Sequence, residues 1–150
     1  MPDRMTISDG VTIGAQPSEA ELQAMADDGV KTVINIRHDG EDMMPMPPEV
    51  EGEVVRDRGM AYVHLPVSMK DADAALVDRF RKQLQQAEKP AFVHCKLGMR
   101  AGAMVMMDLA ANRGWSGQET LDRAKAMGFD CEGHPKLAAF VKDYVDQAKP

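Results

Sequence analysis

The run Val30-Lys31-Thr32-Val33-Ile34-Asn35-Ile36 leaves the chain few options. Its density of β-branched residues favours a strand, and its apolar character favours one buried inside a sheet. Such a strand must be covered on both faces, and the rest of the sequence supplies the cover. Further strands are expected at 61–65 and 91–94, alternating with helices at 49–58 and 72–88. In the last of these, Leu76, Phe80 and Leu84 recur at the four-residue spacing of one helix face. Strands alternating with helices imply right-handed crossovers. The expected fold class is therefore α/β: a central, mostly parallel sheet of four to five strands flanked by helices on both faces. No repeat, low-complexity tract or charge block divides residues 1–150, so a single domain is expected.

Local signals fix other elements. Strands near 5–7 and 11–13 should turn at Asp9-Gly10, a hairpin signal. Pro17 sets the entry of the first helix, Ser18 and Glu21 form a capping box, and Gly29 stops it. The segment 37–48 reads as a polar loop whose Met-Met-Pro-Met-Pro-Pro run resists regular structure. Three more helices are expected at about 100–112, 117–127 and 135–147. Aromatic residues are only 5% of the chain, so the 13 methionines are expected to fill the core.

Open α/β sheets bind ligands outside the carboxyl ends of their strands. That rule gathers the loops 37–42, 66–73 and 95–100 into one expected site. The net charge of −6 and pI of about 5.2 give no general attraction to nucleic acid or an anionic membrane. An anionic substrate would have to be held by local cations and amides. No apolar run approaches the length of a membrane-spanning helix. The polar start Met1-Pro2-Asp3-Arg4 does not read as a secretory signal, and two cysteines are too few for a disulfide scaffold. A reducing, cytoplasmic setting is the expectation.

The third loop has the parts of a thiolate-based phosphate site. A strand delivers Cys95, and a helix begins a few residues later, its free amides and positive dipole end favouring both a thiolate and a bound anion. Gly98 lets successive amides curl inward, Arg100 offers a two-pronged donor for phosphate oxygens, and Lys96 adds positive charge.

The segment His94-Cys95-Lys96-Leu97-Gly98-Met99-Arg100 resembles the signature loop of cysteine-dependent protein phosphatases. The whole chain is similar to the bacterial beta-lactamase hydrolase-like phosphatase family, relatives of dual-specificity (protein tyrosine phosphatase-like) phosphatases. Segments 14–18, 29–37, 59–67 and 114–116 share that likeness, which covers about residues 5–130 and leaves out the last helix. The resemblance implies hydrolysis of phosphoesters, phosphotyrosine or small aryl phosphates, through a phosphocysteine. Cys95 would be the nucleophile, and Arg100 with the amides of Lys96, Leu97, Gly98 and Met99 would hold the phosphoryl oxygens. His94 would support the loop. The resemblance places the general acid on the 66–73 loop, at Asp71 or, second, Asp73; capping of the following helix is the other use for either. Asp39, Glu41 and Asp42 are outside candidates. No cofactor and no metal are implied, and the partner would be an anionic phosphorylated substrate.

Two features depart from the usual pattern. Four residues, not five, separate Cys95 from Arg100, and Ala101 stands where Ser or Thr is common. The short loop also suits sulfur transfer through a Cys95 persulfide, as in rhodanese domains, or a weakly catalytic anion-binding module. His64 reads as a structural histidine, Arg37 and His38 as lining the mouth or a solvated loop, and Trp115 as an anchor between helices. Cys131 reads as an exposed or half-buried thiol, with a resolving role as the alternative. The histidines, His134 included, show no metal-ligand spacing.

Overall fold

Strand β5 (Ala91–His94) lies at the centre of a five-stranded sheet of order β1-β2-β5-β3-β4. The computed structural model describes residues 4–38, 41, 46–128 and 131–148. The chain begins with the hairpin β1 (Arg4–Ser8) and β2 (Val11–Gly14), then runs through α1 (Glu19–Asp27), β3 (Thr32–Asn35), α2 (Pro48–Asp57), β4 (Ala61–His64) and α3 (Ala74–Gln86). After β5 come α4 (Met99–Arg113), α5 (Gly117–Met127), a short 3-10 turn at Cys131–Gly133 and α6 (Pro135–Ala148). Only the β1–β2 pairing is antiparallel; β2–β5, β5–β3 and β3–β4 are parallel. The fold is α/β as expected, with β3 and α3 each shorter than the sequence reading by residues at both ends.

The sheet register sorts side chains into two faces. Ile13, Val93 and Ile34 lie level across the sheet and join Phe80, Met104, Met106 and Val141 in the larger core, under α3 to α6. Val33 and Phe92, one residue out of step, pack with Leu22, Met25 and Val55 under α1 and α2. The methionines do fill the core: Met25, Met104, Met106 and Met107 are essentially sealed from solvent.

The last row of the register differs from the rest. Gly14, His94, Asn35 and His64 stand level at the carboxyl ends of four strands, three of them polar where the row before, Ile13, Val93, Ile34 and Val63, is apolar. His94 and Asn35 are buried there, so each must find partners inside the protein. Those partners build the site.

Candidate active site

The chain leaves β5 at His94 and turns directly through Cys95 into α4. Gly98 is the residue before the helix, with φ +99°, a left-handed conformation that a side chain would resist. This turn folds the amides back on the sulfur: Cys95 Sγ accepts from Gly98 N at 3.0 Å and from Ala101 N at 3.5 Å. The loop's outer strand is tied down by the Gln16 amide, which donates to Lys96 O at 3.1 Å. Leu97 projects at the tip, 72% exposed, while Cys95 is buried at the base of the turn.

Arg100 is fixed from two sides. Its Nη1 donates to Val67 O and to Glu41 Oε2, both at 2.8 Å, and its Nη2 donates to Glu41 Oε1 at 2.8 Å. The Glu41 carboxylate accepts further bonds from the His38 amide at 2.7 Å and from Arg37 Nε at 3.3 Å. Burial alone would raise the Glu41 carboxyl, but the bonds from Arg100 and His38, with the positive charges of both, outweigh it and hold it at about 2. Burial likewise opposes the charge on Arg100. The bond to Glu41 and the nearby sulfur of Cys95 overcome that and raise its pKa. The guanidinium, the sulfur and the loop amides thus share one pocket.

A second set of groups supports the loop from beneath. Glu51, on α2, is fully buried; its Oε2 lies 2.6 Å from His94 Nε2, and its Oε1 accepts from Gln16 Nε2 at 2.6 Å. His94 Nδ1 faces Cys95 O at 3.2 Å. Gln16 Oε1 accepts from Nη1 of the fully buried Arg37 at 3.0 Å, and Arg37 reaches Glu41. A continuous polar chain therefore runs from Cys95 through His94, Glu51, Gln16, Arg37 and Glu41 back to Arg100. Tyr62 closes its flank, its hydroxyl accepting from Asn35 Nδ2 at 3.0 Å. Burial and the charge of Glu51 push the Tyr62 phenol above its ordinary value.

Cys95, Arg100, Lys96, Leu97, Gly98, Met99 and His94 all meet at this one loop, and Glu41 joins them as the partner of Arg100. Asp73 instead caps α3, accepting from Leu76 N at 2.9 Å. Asp71 is exposed in a turn at 68–71, its amide donating to Ser68 O at 3.0 Å. Asp39 and Asp42 lie outside the described residues, as does the 43–45 part of the Met-Pro run. Arg37 does not line the mouth: its side chain is sealed inside the polar chain, because Gln16 and Glu41 draw it inward. His38 is partly exposed, with its ring 3.6 Å from Glu41. His64 is structural, its Nε2 lying 2.7 Å from Arg37 O. Trp115 is buried with Arg123 over its ring, between α4 and α5. Cys131 is not the exposed or half-buried thiol expected; it is 1% exposed, packed in the larger core.

The sequence reading missed Glu51 and Gln16 altogether. One signal was available. Gly52 sits mid-helix, where a Cβ would come within 2.9 Å of the Tyr62 ring, so α2 had to approach the sheet closely at that turn.

A small cleft of about 160 Å³ opens over the loop, lined by Cys95, Lys96, Leu97, Met99 and Arg100. A wider groove of about 610 Å³ adjoins it across Met99 and Arg100, reaching the start of α6. Among the described residues, no helix is long and apolar enough to cross a membrane.

Residues 7–142 match the family model described as DSP-PTPase phosphatase fused to NAD+ kinase, which extends into α6 and so beyond the likeness read from the sequence. A beta-lactamase hydrolase-like protein of Agrobacterium fabrum is 32% identical over 124 residues, covering 83% of this chain and 29% of the relative. One from Xylella fastidiosa is 30% identical over 122 residues, covering 81% and 27%. The chain thus spans less than a third of the length of the curated relatives it matches. Among solved structures, a phosphatase candidate from Neisseria meningitidis superposes with a TM-score of 0.77 at 25% identity, covering 97% of both chains. TpbA of P. aeruginosa, in a cysteine-to-serine form complexed with phosphotyrosine, gives a TM-score of 0.76 at 22% identity over 97% of this chain and 89% of that one, a likeness of fold.

Proposed function

The chain belongs to the family of DSP-PTPase-type phosphatases that its sequence matches over residues 7–142, and from that premise we propose that it hydrolyses phosphomonoesters through a phosphocysteine on Cys95. The observation that carries the reading is the convergence on one sulfur: two amides donate to Cys95 Sγ, and Arg100 lies against it.

The reacting form of Cys95 is the thiolate. Its sulfur attacks phosphorus, a P–S bond forms, and the bond to the ester oxygen breaks. Arg100 and the amides of the turn face the charge spread over the equatorial oxygens, the interaction that contributes most to catalysis in such sites. Glu41 orients Arg100 by occupying one edge of its guanidinium. The leaving oxygen needs a proton, and water must then cleave the phosphocysteine, releasing phosphate and restoring the thiolate.

Asp71 is our assignment for the proton donor. Asp73 is committed to its helix cap, and Glu41, held at about 2, is ionised at neutral pH. The loop bearing Asp71 is joined to Arg100 through Val67 O. The family model and the solved structures are phosphatases, which supports hydrolysis over the sulfur transfer that the short loop alone would permit. Phosphotyrosine, the ligand of TpbA, is the natural first substrate to try.

The test is an assay with an aryl phosphate, comparing wild type with Cys95→Ser. Wild type should turn over and trap as a phosphoenzyme, while the variant should lose essentially all activity. Equal rates would refute the proposal. Asp71→Asn should slow esters of basic leaving groups far more than those of acidic ones; a uniform effect would assign the proton to another group.

A further inference from the structure

The cleft over Cys95 and the groove toward α6 share Met99 and Arg100 in their walls, and they differ in chemistry. At about 160 Å³ the cleft has room for a phosphoryl group and about one ring attached to it, and for no larger body. The groove holds about 610 Å³, and Met69, Met99, Pro135 and Leu137 make its walls. Met69 comes from the loop after β4, Met99 opens α4, and Pro135 and Leu137 come from the first turn of α6. Among the described residues no carboxylate lines it; the ionisable groups there, Arg100, His134 and Lys136, are all bases. Whatever larger body is attached to a phosphoryl group seated against Arg100 must leave the cleft, and across Met99 the groove offers apolar surface in contact with it.

We infer that this groove is the leaving-group site, and that it selects phosphomonoesters with a large apolar body, more than one ring across, over small or multiply charged ones. The inference rests on the phosphatase reading and adds the substrate class. Apolar surface is the reason: a body that fills the groove removes its own carbon and that of Met69 and Leu137 from water together. A polar or polyphosphorylated body would find three bases at most and would strip water from its remaining polar groups without replacing their hydrogen bonds. The groove also assigns α6 a part in recognition, although that helix is remote in sequence from the Cys95 loop.

Binding of phosphonates, which cannot be hydrolysed, tests this without turnover. Phenylphosphonate and 4-biphenylylphosphonate would be titrated by calorimetry into the wild-type chain, with inorganic phosphate as competitor. A second ring buries on the order of 60 Å² more apolar surface, which corresponds to about tenfold tighter binding. Phosphate should displace both ligands, and Met69→Asp should bring the ratio near one. Leu137→Ala should reduce it in the same direction, covering the case in which Met69→Asp disturbs the loop. Equal affinities for the two phosphonates, both displaced by phosphate, would overturn the groove assignment and leave the phosphatase reading standing. Biphenylyl binding that phosphate cannot displace would separate the groove from the cleft and overturn it as well. Failure of both phosphonates and of phosphate to bind would remove the two proposals together.

Discussion

Two glutamates hold the Cys95 loop, one from beneath it and one at its mouth. Glu51 lies beneath it, fully buried, bonded to His94 at 2.6 Å and to Gln16 at 2.6 Å. Glu41 lies at the mouth with its side chain 7% exposed, spanning both terminal nitrogens of Arg100. Both are carboxylates within one polar chain, and their tasks differ. Glu51 acts through His94 on the backbone of the loop, so it governs whether the turn forms. Glu41 acts on the guanidinium, so it governs where a formed turn can direct charge. A buried pair contributes little when compared with well-packed carbon, but breaking one side of it is strongly destabilising. Losing the anchor at the mouth should harm stability less and function more.

The largest expected effect breaks the lower anchor. Glu51→Ala leaves His94, Gln16 and the Tyr62 hydroxyl facing a cavity, and removal of one partner of a buried pair costs about 3–5 kcal/mol. Chemical denaturation would read it as a drop in midpoint with an unchanged slope. Glu51→Gln keeps the shape and an acceptor, and should recover most of that loss. If Glu51→Ala unfolds at the wild-type midpoint, the lower anchor is not structural and the contrast between the two glutamates fails.

The upper anchor should show itself in acid. The Glu41 carboxyl is held at about 2 against an ordinary value near 4.5. A carboxyl depressed in the folded state adds stability that is fully present above its unfolded value and is lost as pH falls through the folded one. The stability drawn from Glu41 is therefore present above about pH 4.5 and fades toward pH 2. Unfolding free energies measured across that window should fall less steeply for Glu41→Gln than for wild type. At pH 7 the same variant should lose at least tenfold in kcat/KM, about 1.4 kcal/mol of transition-state stabilisation, because Arg100 is no longer oriented. Unchanged kcat/KM would confine Glu41 to stability alone.

What could be read in the sequence follows the distance over which each feature is decided. The hairpin at Asp9-Gly10, the capping box of Ser18 and Glu21 and the turn at Gly98 are set within a few residues, and each appears where its local signal placed it. The Cys95 loop was legible for the same reason: strand, glycine and helix follow one another without interruption. Glu51 was not, because its partner His94 lies 43 residues away, and Gly52 marks only the close approach of Pro48–Asp57, not which of its acidic residues is buried. Glu41 was visible only as a spare carboxylate, since its partner Arg100 lies 59 residues on. Arg37 follows a strand and resembles a surface cation; its burial depends on Gln16, 21 residues away, as well as on Glu41 four residues on.

The smallest expected effect concerns Tyr62, at the flank of the lower anchor. Its ring fills the space that Gly52 leaves, and its hydroxyl accepts from Asn35 at 3.0 Å. Tyr62→Phe keeps the ring and removes one hydrogen-bonding group, so it should cost about 1 kcal/mol. Its ionisation is the more telling measurement. Burial and the negative charge of Glu51 both oppose a phenolate there, and burial and the bond to Asp78 likewise raise Tyr144. These are the two tyrosines of the chain, so phenolate absorbance should not develop in the native protein at the pH of an ordinary tyrosine. It should rise only at higher pH. In Tyr62→Phe the remaining signal belongs to Tyr144, and in Glu51→Gln the Tyr62 signal should move to lower pH because one opposing charge is gone. A Tyr62 titration indifferent to Glu51→Gln would mean that the charge beneath the loop does not reach the phenol, and the lower anchor would have to be redrawn without it.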